Sequence, residues 1–232
     1  MNPSTPARES PVERYPGLRK YFEAIEKLER LHFEVAAALA SAGGGDLWHT
    51  DFVLMGVLER SLDILDAAQV LIERWNFTAA APLLRMQLDS LLRVNYLSKV
   101  GDAEAVSREV FAGTPFYKLK DAKGKPLTDA RLRDYARARY DWIDRVYEAT
   151  SKLIHLSDRH VFGTVQSINE ENRTVQHVIG VGAPNWPEER LEEFLQVLIT
   201  TTDALLKTVG GWAGTKDNLH NQRGPDASRT DV

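Results

Sequence analysis

The 232-residue chain contains no cysteine, which excludes disulfide scaffolds, thiolate metal centres and cysteine nucleophiles. The redox compartment is therefore left unmarked by thiol chemistry. A large excess of one charge is also missing: 29 Lys and Arg stand against 33 Asp and Glu, a formal charge of −4, so nothing global advertises nucleic acid or a membrane surface. Long apolar runs are absent. The longest uncharged stretch, Thr174 to Pro187, is too short and too interrupted to span a bilayer, and MNPSTPARESPVERYPG lacks the apolar stretch of a signal peptide, so a cytoplasmic location is expected. There is no phosphate-cradling loop, because Gly43-Gly44-Gly45 lacks the lysine and the preceding strand of a Walker or Rossmann turn. No internal repeat is visible.

What is present is helical periodicity. Hydrophobic residues make up 43% of the chain, enough for a full core. Residues 1–16 carry four prolines among small polar and charged residues, and this composition predicts a flexible arm. Leu18, Phe22, Ile25, Leu28, Leu31 or His32, Val35 and Leu39 then draw one helical stripe that the glycine run ends. A second helix is expected from about Leu47 to Trp75, with Phe52, Met55, Leu58, Leu62, Leu65, Val70 and Ile72 inward and Glu59, Asp63, Asp66 and Glu73 outward. A third begins near Thr78 or Ala79 and is apolar nearly all round through Leu97, the mark of a central helix.

Asp102 to Phe111 predicts a short helix, and Gly113 to Pro126 a lysine-rich loop. A fourth long helix is expected from Thr128 through Ile154. The β-branched segments on either side of Asn169-Glu170-Glu171-Asn172 predict a small hairpin at about 161–181. Pro187, Glu188 and Glu189 open a last helix that Gly210-Gly211 should close. The expected fold is all-α: an antiparallel bundle of about five main helices with a β-hairpin before the last one. Residues 17–212 form the single domain in this reading, and 213–232 a flexible tail.

Chemistry is suggested by polar ladders within apolar helices. Arg85, Asp89 and Arg93 share one face of the third helix, and Tyr147, Ser151 and His155 one face of the fourth. If these helices are neighbours, guanidinium, carboxylate, phenol, hydroxyl and imidazole meet between them. The plain reading is that these groups satisfy one another and fix helix register. The functional reading is a pocket in which Arg85 grips an anion and His155 acts as donor or acid/base.

The residues that carry these ladders, NFTAAAPLLRMQLDSLLRVNYL and YEATSKLIHLSDRH, resemble those of a family of uncharacterised prokaryotic all-α proteins, distantly like the HEPN helical domains of toxin and phage-defence systems. The resemblance covers roughly residues 50–210. It implies an Arg followed four residues later by an acid, here Arg85 and Asp89, and Tyr, Ser and His at helical spacing, here Tyr147, Ser151 and His155. The acid is often Glu in that family, so Asp89 shortens the reach. HEPN ribonucleases typically place four to six residues between an Arg and the His that follows it. This chain has no such spacing; Arg173 and His177 have three residues between them and fall in the predicted hairpin.

Other candidates are weaker. Glu29 and His32 make one Glu-x-x-His pair, whereas a di-iron bundle needs two and further carboxylates, so an exposed salt-bridging pair is expected. Glu59, Asp63 and Asp66 read as a solvated acidic face rather than a cation site. Ser151, His155 and Asp158 lie too close on one helix to build a hydrolytic triad with an oxyanion hole. Lys118 to Arg145 holds nine basic residues with Tyr135, Tyr140 and Trp142 interleaved, a pattern that could hold RNA or DNA but reads first as a solvated face with internal ion pairs.

The expectation drawn from residues and resemblance together is a non-enzymatic binding or regulatory protein, in a phage-defence or stress module, without cofactor or metal and assembled as a homodimer. Binding falls to Arg85, Asp89, Arg93, Tyr147, Ser151 and His155. One alternative is a metal-independent ribonuclease in which Arg85 holds phosphate and His155, with Ser151 nearby, moves the proton. Another is a small-anion-binding protein.

Overall fold

The computed structural model describes residues 9–154, 165–177, 179 and 186–223. Eight α-helices and one two-stranded antiparallel sheet are found among them, so the chain is all-α with a small hairpin before its last helix. The helices are α1 (Pro11–Arg14), α2 (Arg19–Ser41), α3 (His49–Glu73), α4 (Phe77–Leu97), α5 (Ala103–Phe111), α6 (Asp129–Arg137), α7 (Ile143–Ile154) and α8 (Glu188–Arg223). No helix among the described residues is long and apolar enough to cross a membrane.

The fold is organised around α4. Asn76 caps it by accepting from the Ala79 N–H at 3.3 Å, and the helix starts at Phe77, one residue before the expected position. From Leu84 onward nearly every residue is buried, because α3, α6, α7 and α8 all pack against it. α3 ends where Trp75 adopts a left-handed φ of 59° and reverses the chain. For a bulky residue this conformation costs about 1–2 kcal/mol, and burial of the indole offsets it.

That indole also orders the N-terminal segment. The described part of the expected arm, from Glu9 to Pro16, is built rather than loose: Ser10 and Glu13 form a reciprocal capping box on α1, at 3.2 and 2.6 Å. The Trp75 indole donates to the Glu9 carbonyl at 2.8 Å, Tyr15 meets its ring edge-on, and Arg14 lies over its face. Composition alone missed this because a short capping motif and one aromatic dock supply what the segment lacks in apolar area.

Two further expectations need correction. The single helix predicted from Thr128 to Ile154 is two, α6 and α7, broken near Tyr140. No Gly or Pro marks the break. Tyr140 is drawn inward instead, its hydroxyl hydrogen-bonding Thr208 at 2.8 Å and donating to the Ala204 carbonyl at 3.3 Å, both on α8. Nor does α8 stop at Gly210-Gly211; it runs through Gly214 to Arg223, where a tail was expected. Interior glycines weaken a helix by about 0.5–1 kcal/mol each, so something must hold this extension.

The holding contact is a buried ion pair. Lys216 Nζ lies 2.8 Å from Asp51 Oδ2, both residues almost fully buried, and donates to the Leu39 carbonyl at 3.1 Å. Asp51 also accepts from the Trp212 indole at 2.9 Å and from the Trp48 N–H at 2.8 Å. Beside it, Gly43 donates its N–H to Asp217 at 2.7 Å. Gly43 has φ 63°, and a Cβ there would sit 2.9 Å from Lys216 Cγ, so a side chain is excluded by both conformation and space.

The hairpin pairs β1 (Val165–Asn169) with β2 (Thr174–His177), with Ile168 opposite Val175 and an irregularity between Val165 and Ser167. It is the turn at Asn169–Arg173 that the sequence pattern anticipated, while both ends of the predicted 161–181 span include residues outside the described ones.

Lys216→Ala leaves the Asp51 carboxylate buried without its cation and should lower unfolding free energy by about 3–5 kcal/mol. Lys207→Ala, which breaks an exposed pair with Asp203, should cost less than about 0.5 kcal/mol. Urea unfolding of the two variants against the parent checks this contrast.

Candidate functional site

α4 and α7 do lie side by side, and the Arg85 guanidinium stacks over the Tyr147 ring with its carbon 4.2 Å from the centroid. The carboxylate that pairs with Arg85 is Asp129, at the start of α6, rather than Asp89 one turn along. Tyr147 donates its hydroxyl to the same Asp129 oxygen at 3.1 Å, and Arg133 also lies 4.1 Å from the Tyr147 ring centre. Asp89 is bound bidentately by Arg93 at 2.9 and 2.7 Å and approached by Arg60, which donates to Ser90 at 2.7 Å. Ser151 turns back on its own helix and donates to the Tyr147 carbonyl at 2.8 Å. His155 lies outside the described residues. The expected group at Arg85, Asp89, Arg93, Tyr147, Ser151 and His155 thus resolves into two separately paired clusters, each described member already holding a partner.

Three arginines of the basic stretch are likewise tied to acids. Arg131 pairs with Asp121 at 2.6 Å, Arg133 with Asp144 at 3.1 Å, and Arg137 with both Asp134 and Asp144 at 2.5 Å. Tyr140 is buried, and Tyr135 and Trp142 pack against the core. Asp121 accepts from the N–H groups of Lys125 and Lys123, from Arg131 and from the Tyr135 hydroxyl. The Lys125 N–H above all, then Arg131 and the Lys123 N–H, acting against burial, bring its carboxyl down to about 2.

His32 is not the exposed salt-bridging residue that its spacing to Glu29 suggested. It is buried, donates Nδ1–H to the Leu28 carbonyl at 2.7 Å, and accepts from Ser61 at Nε2 at 2.9 Å. Burial lowers its pKa, outweighing the hydrogen bond to the Leu28 carbonyl, which raises it. Gln87 extends the network to Ser61 and Thr202 at 2.6 and 2.8 Å, while Glu29 takes Gln69 as its partner. Glu59, Asp63 and Asp66 are exposed, and among the described residues no three His, Asp or Glu side chains gather where they could hold a metal ion.

The concave site that sequence reasoning missed lies elsewhere. A cleft of about 1020 Å³ opens where the N-terminus of α3, the α4–α5 junction and α8 converge. On its wall, His49 donates from Nδ1 to Glu104 Oε1 at 2.6 Å, leaving Nε2 as the second ring nitrogen for other work. Glu104 also accepts from the N–H groups of His49 and Thr50 and from the Thr50 hydroxyl, each at 3.1 Å, so it occupies the positive end of α3. Burial pushes the Glu104 carboxyl upward, but the His49 ring and these donors outweigh it and hold the pKa below the ordinary value.

Lys99, Arg108, Arg139 and Lys207 line the cleft against only two acids, Asp102 and Glu104. Asp102 is engaged as the cap of α5, accepting from the Ala105 N–H at 2.9 Å. Trp48 and Trp212, edge-to-face at 5.9 Å, form an aromatic wall. Nothing in the pattern linked His49 to Glu104, which are 55 positions apart; the acid in the first turn of α5 was the single local signal. Compared with protein-family models, curated proteins and solved structures, the chain matches none.

Tyr147→Phe removes one hydroxyl from Asp129 and should cost about 1 kcal/mol in urea unfolding. For Asp121, a side-chain carboxyl titration followed by NMR should give a midpoint near the value of about 2. Because the folded pKa lies below the unfolded one, its contribution to stability is complete above about pH 4 and disappears as pH falls toward the folded value.

Proposed function

We propose that the helices form an antiparallel bundle that serves as a non-enzymatic binding module, and that its ligand is a small organic anion seated in the cleft between α3, α5 and α8. The observation that carries this reading is the charge of that wall: four cations line it against two acids on a chain that is acidic overall, and the pairs Lys207 makes with Asp203 and Arg108 with Glu104 are formed by cations about two-thirds exposed, which an anion can reach. Concavity, an aromatic wall and a few convergent polar groups are what small-molecule sites have in common. The Arg85 cluster supports binding less well, since Asp129 and Tyr147 already occupy its guanidinium. In a defence or stress module, as the family resemblance implies, such a ligand would act as a signal rather than as a substrate.

A thermal-shift screen over carboxylates, phosphates and nucleotides should raise the melting temperature with dose for at least one anion. Joint replacement Arg108→Gln and Lys207→Gln should then weaken that anion by about tenfold or more, and Arg85→Gln should leave its affinity unchanged. A flat response to every anion would remove the reading, as would RNA cleavage that survives EDTA and is lost in His155→Ala.

A further inference from the structure

The cleft does not end at its charged wall. His49, which lines it, packs edge-on against Phe111 with ring centres 5.5 Å apart, and Phe111 meets Phe52 at 5.7 Å. Aromatic surface therefore runs without a gap from the cleft out over α3 and α5. Phe111 is 62% exposed, Phe52 48% and Leu47, itself a lining residue, 56%. Single exposed apolar side chains are ordinary on protein surfaces, but a connected group that begins inside a concave site is not. Phe111 stands one turn beyond Arg108 on α5, so cation and ring are presented by the same short helix.

Resting on the reading of the cleft as the ligand seat, we propose that the ligand is an amphipathic anion: its charged head lies among Arg108, Arg139 and Lys207, and a medium-length acyl or aryl tail lies across His49, Phe111 and Phe52. The two halves of the site demand such a molecule. A compact anion leaves the aromatic shelf wet, and a neutral hydrocarbon gains nothing from the cations. The ligand enters as a free monomer. The cations line a concave cleft with the Arg108 and Lys207 side chains 65% and 68% exposed, so a vesicle arm of the test separates a lipid headgroup from a free monomer.

The experiment is a calorimetric titration of the full chain with butanoate, hexanoate, octanoate and decanoate below their micelle concentrations, followed in parallel by the fluorescence of the five tryptophans, of which Trp48 and Trp212 line the cleft. Each added methylene should tighten binding about two- to fourfold, since each removes apolar surface from water. In the double variant Phe52→Ser with Phe111→Ser, both positions being solvent-exposed, the dependence on chain length should vanish while the circular dichroism spectrum stays as in the parent. Octan-1-ol, which has the tail without the charge, should bind at least tenfold more weakly than octanoate.

Equal affinity across the series, a length dependence that survives in the double variant, or octan-1-ol binding as tightly as octanoate would overturn the amphipathic ligand while leaving the cleft as an anion site. Response to no anion at all overturns the cleft reading and this proposal with it. Adsorption to dioleoylphosphatidylglycerol vesicles without any response to the monomeric series overturns it in favour of a membrane surface.

Discussion

The carboxylate of Asp51 is the constraint on which much of the architecture depends. A charge withdrawn this completely from water is tolerated only when its oxygens are fully engaged, and Asp51 finds its partners in the Trp48 backbone, the Trp212 indole and the Lys216 ammonium. Two of those three lie on α8, beyond the glycines that would otherwise end a helix. The extension of α8 is therefore a requirement of α3, and the glycine turn after α2 must pass close enough to accommodate the lysine stem. The same arrangement places Trp48 and Trp212 side by side as one wall of the cleft. A single buried charge thus ties the length of the last helix to the shape of the concave site.

Elsewhere, polar groups in this protein are engaged across helices as well as along them. Arg85 looks past Asp89 to Asp129, His32 passes over Glu29 to Ser61, and Glu104 serves the start of α3 from its place on α5. Each such bond fixes the relative placement of two elements, which apolar packing alone specifies only loosely. A site assembled on these elements inherits that fixity. The His49 ring is held by Glu104 on one side and by Phe111 on another, which fixes its orientation on the cleft wall.

Periodicity made much of the helical content legible. The all-round apolarity of α4 predicted its central position, and the paired glutamates after Pro187 marked the start of α8. What failed was local punctuation. Gly210-Gly211 reads as a stop, but tertiary contacts with α2 and α3 carry the helix through it. Thr128 to Ile154 reads as continuous, but Tyr140 is worth more buried against α8 than aligned in a helix. Site residues followed the same rule. The meeting of Arg85 with Tyr147 was recoverable from the spacing of two ladders, whereas the partner of Arg85, the pairing of His49 with Glu104 and the burial of Lys216 join segments that no periodic signal connects.

The Lys216 pair also bears on the order in which the molecule can be completed. The lysine and the Leu39 carbonyl it caps are separated by 177 positions, and Trp212 and Asp51 by 161. During synthesis, α2, α3 and α4 emerge long before the segment that neutralises Asp51, so they must wait with that carboxylate hydrated and the head of α3 unsealed. Closure over such long separations is slow in general. The Trp48–Trp212 wall of the cleft consequently forms only after the end of α8 has emerged.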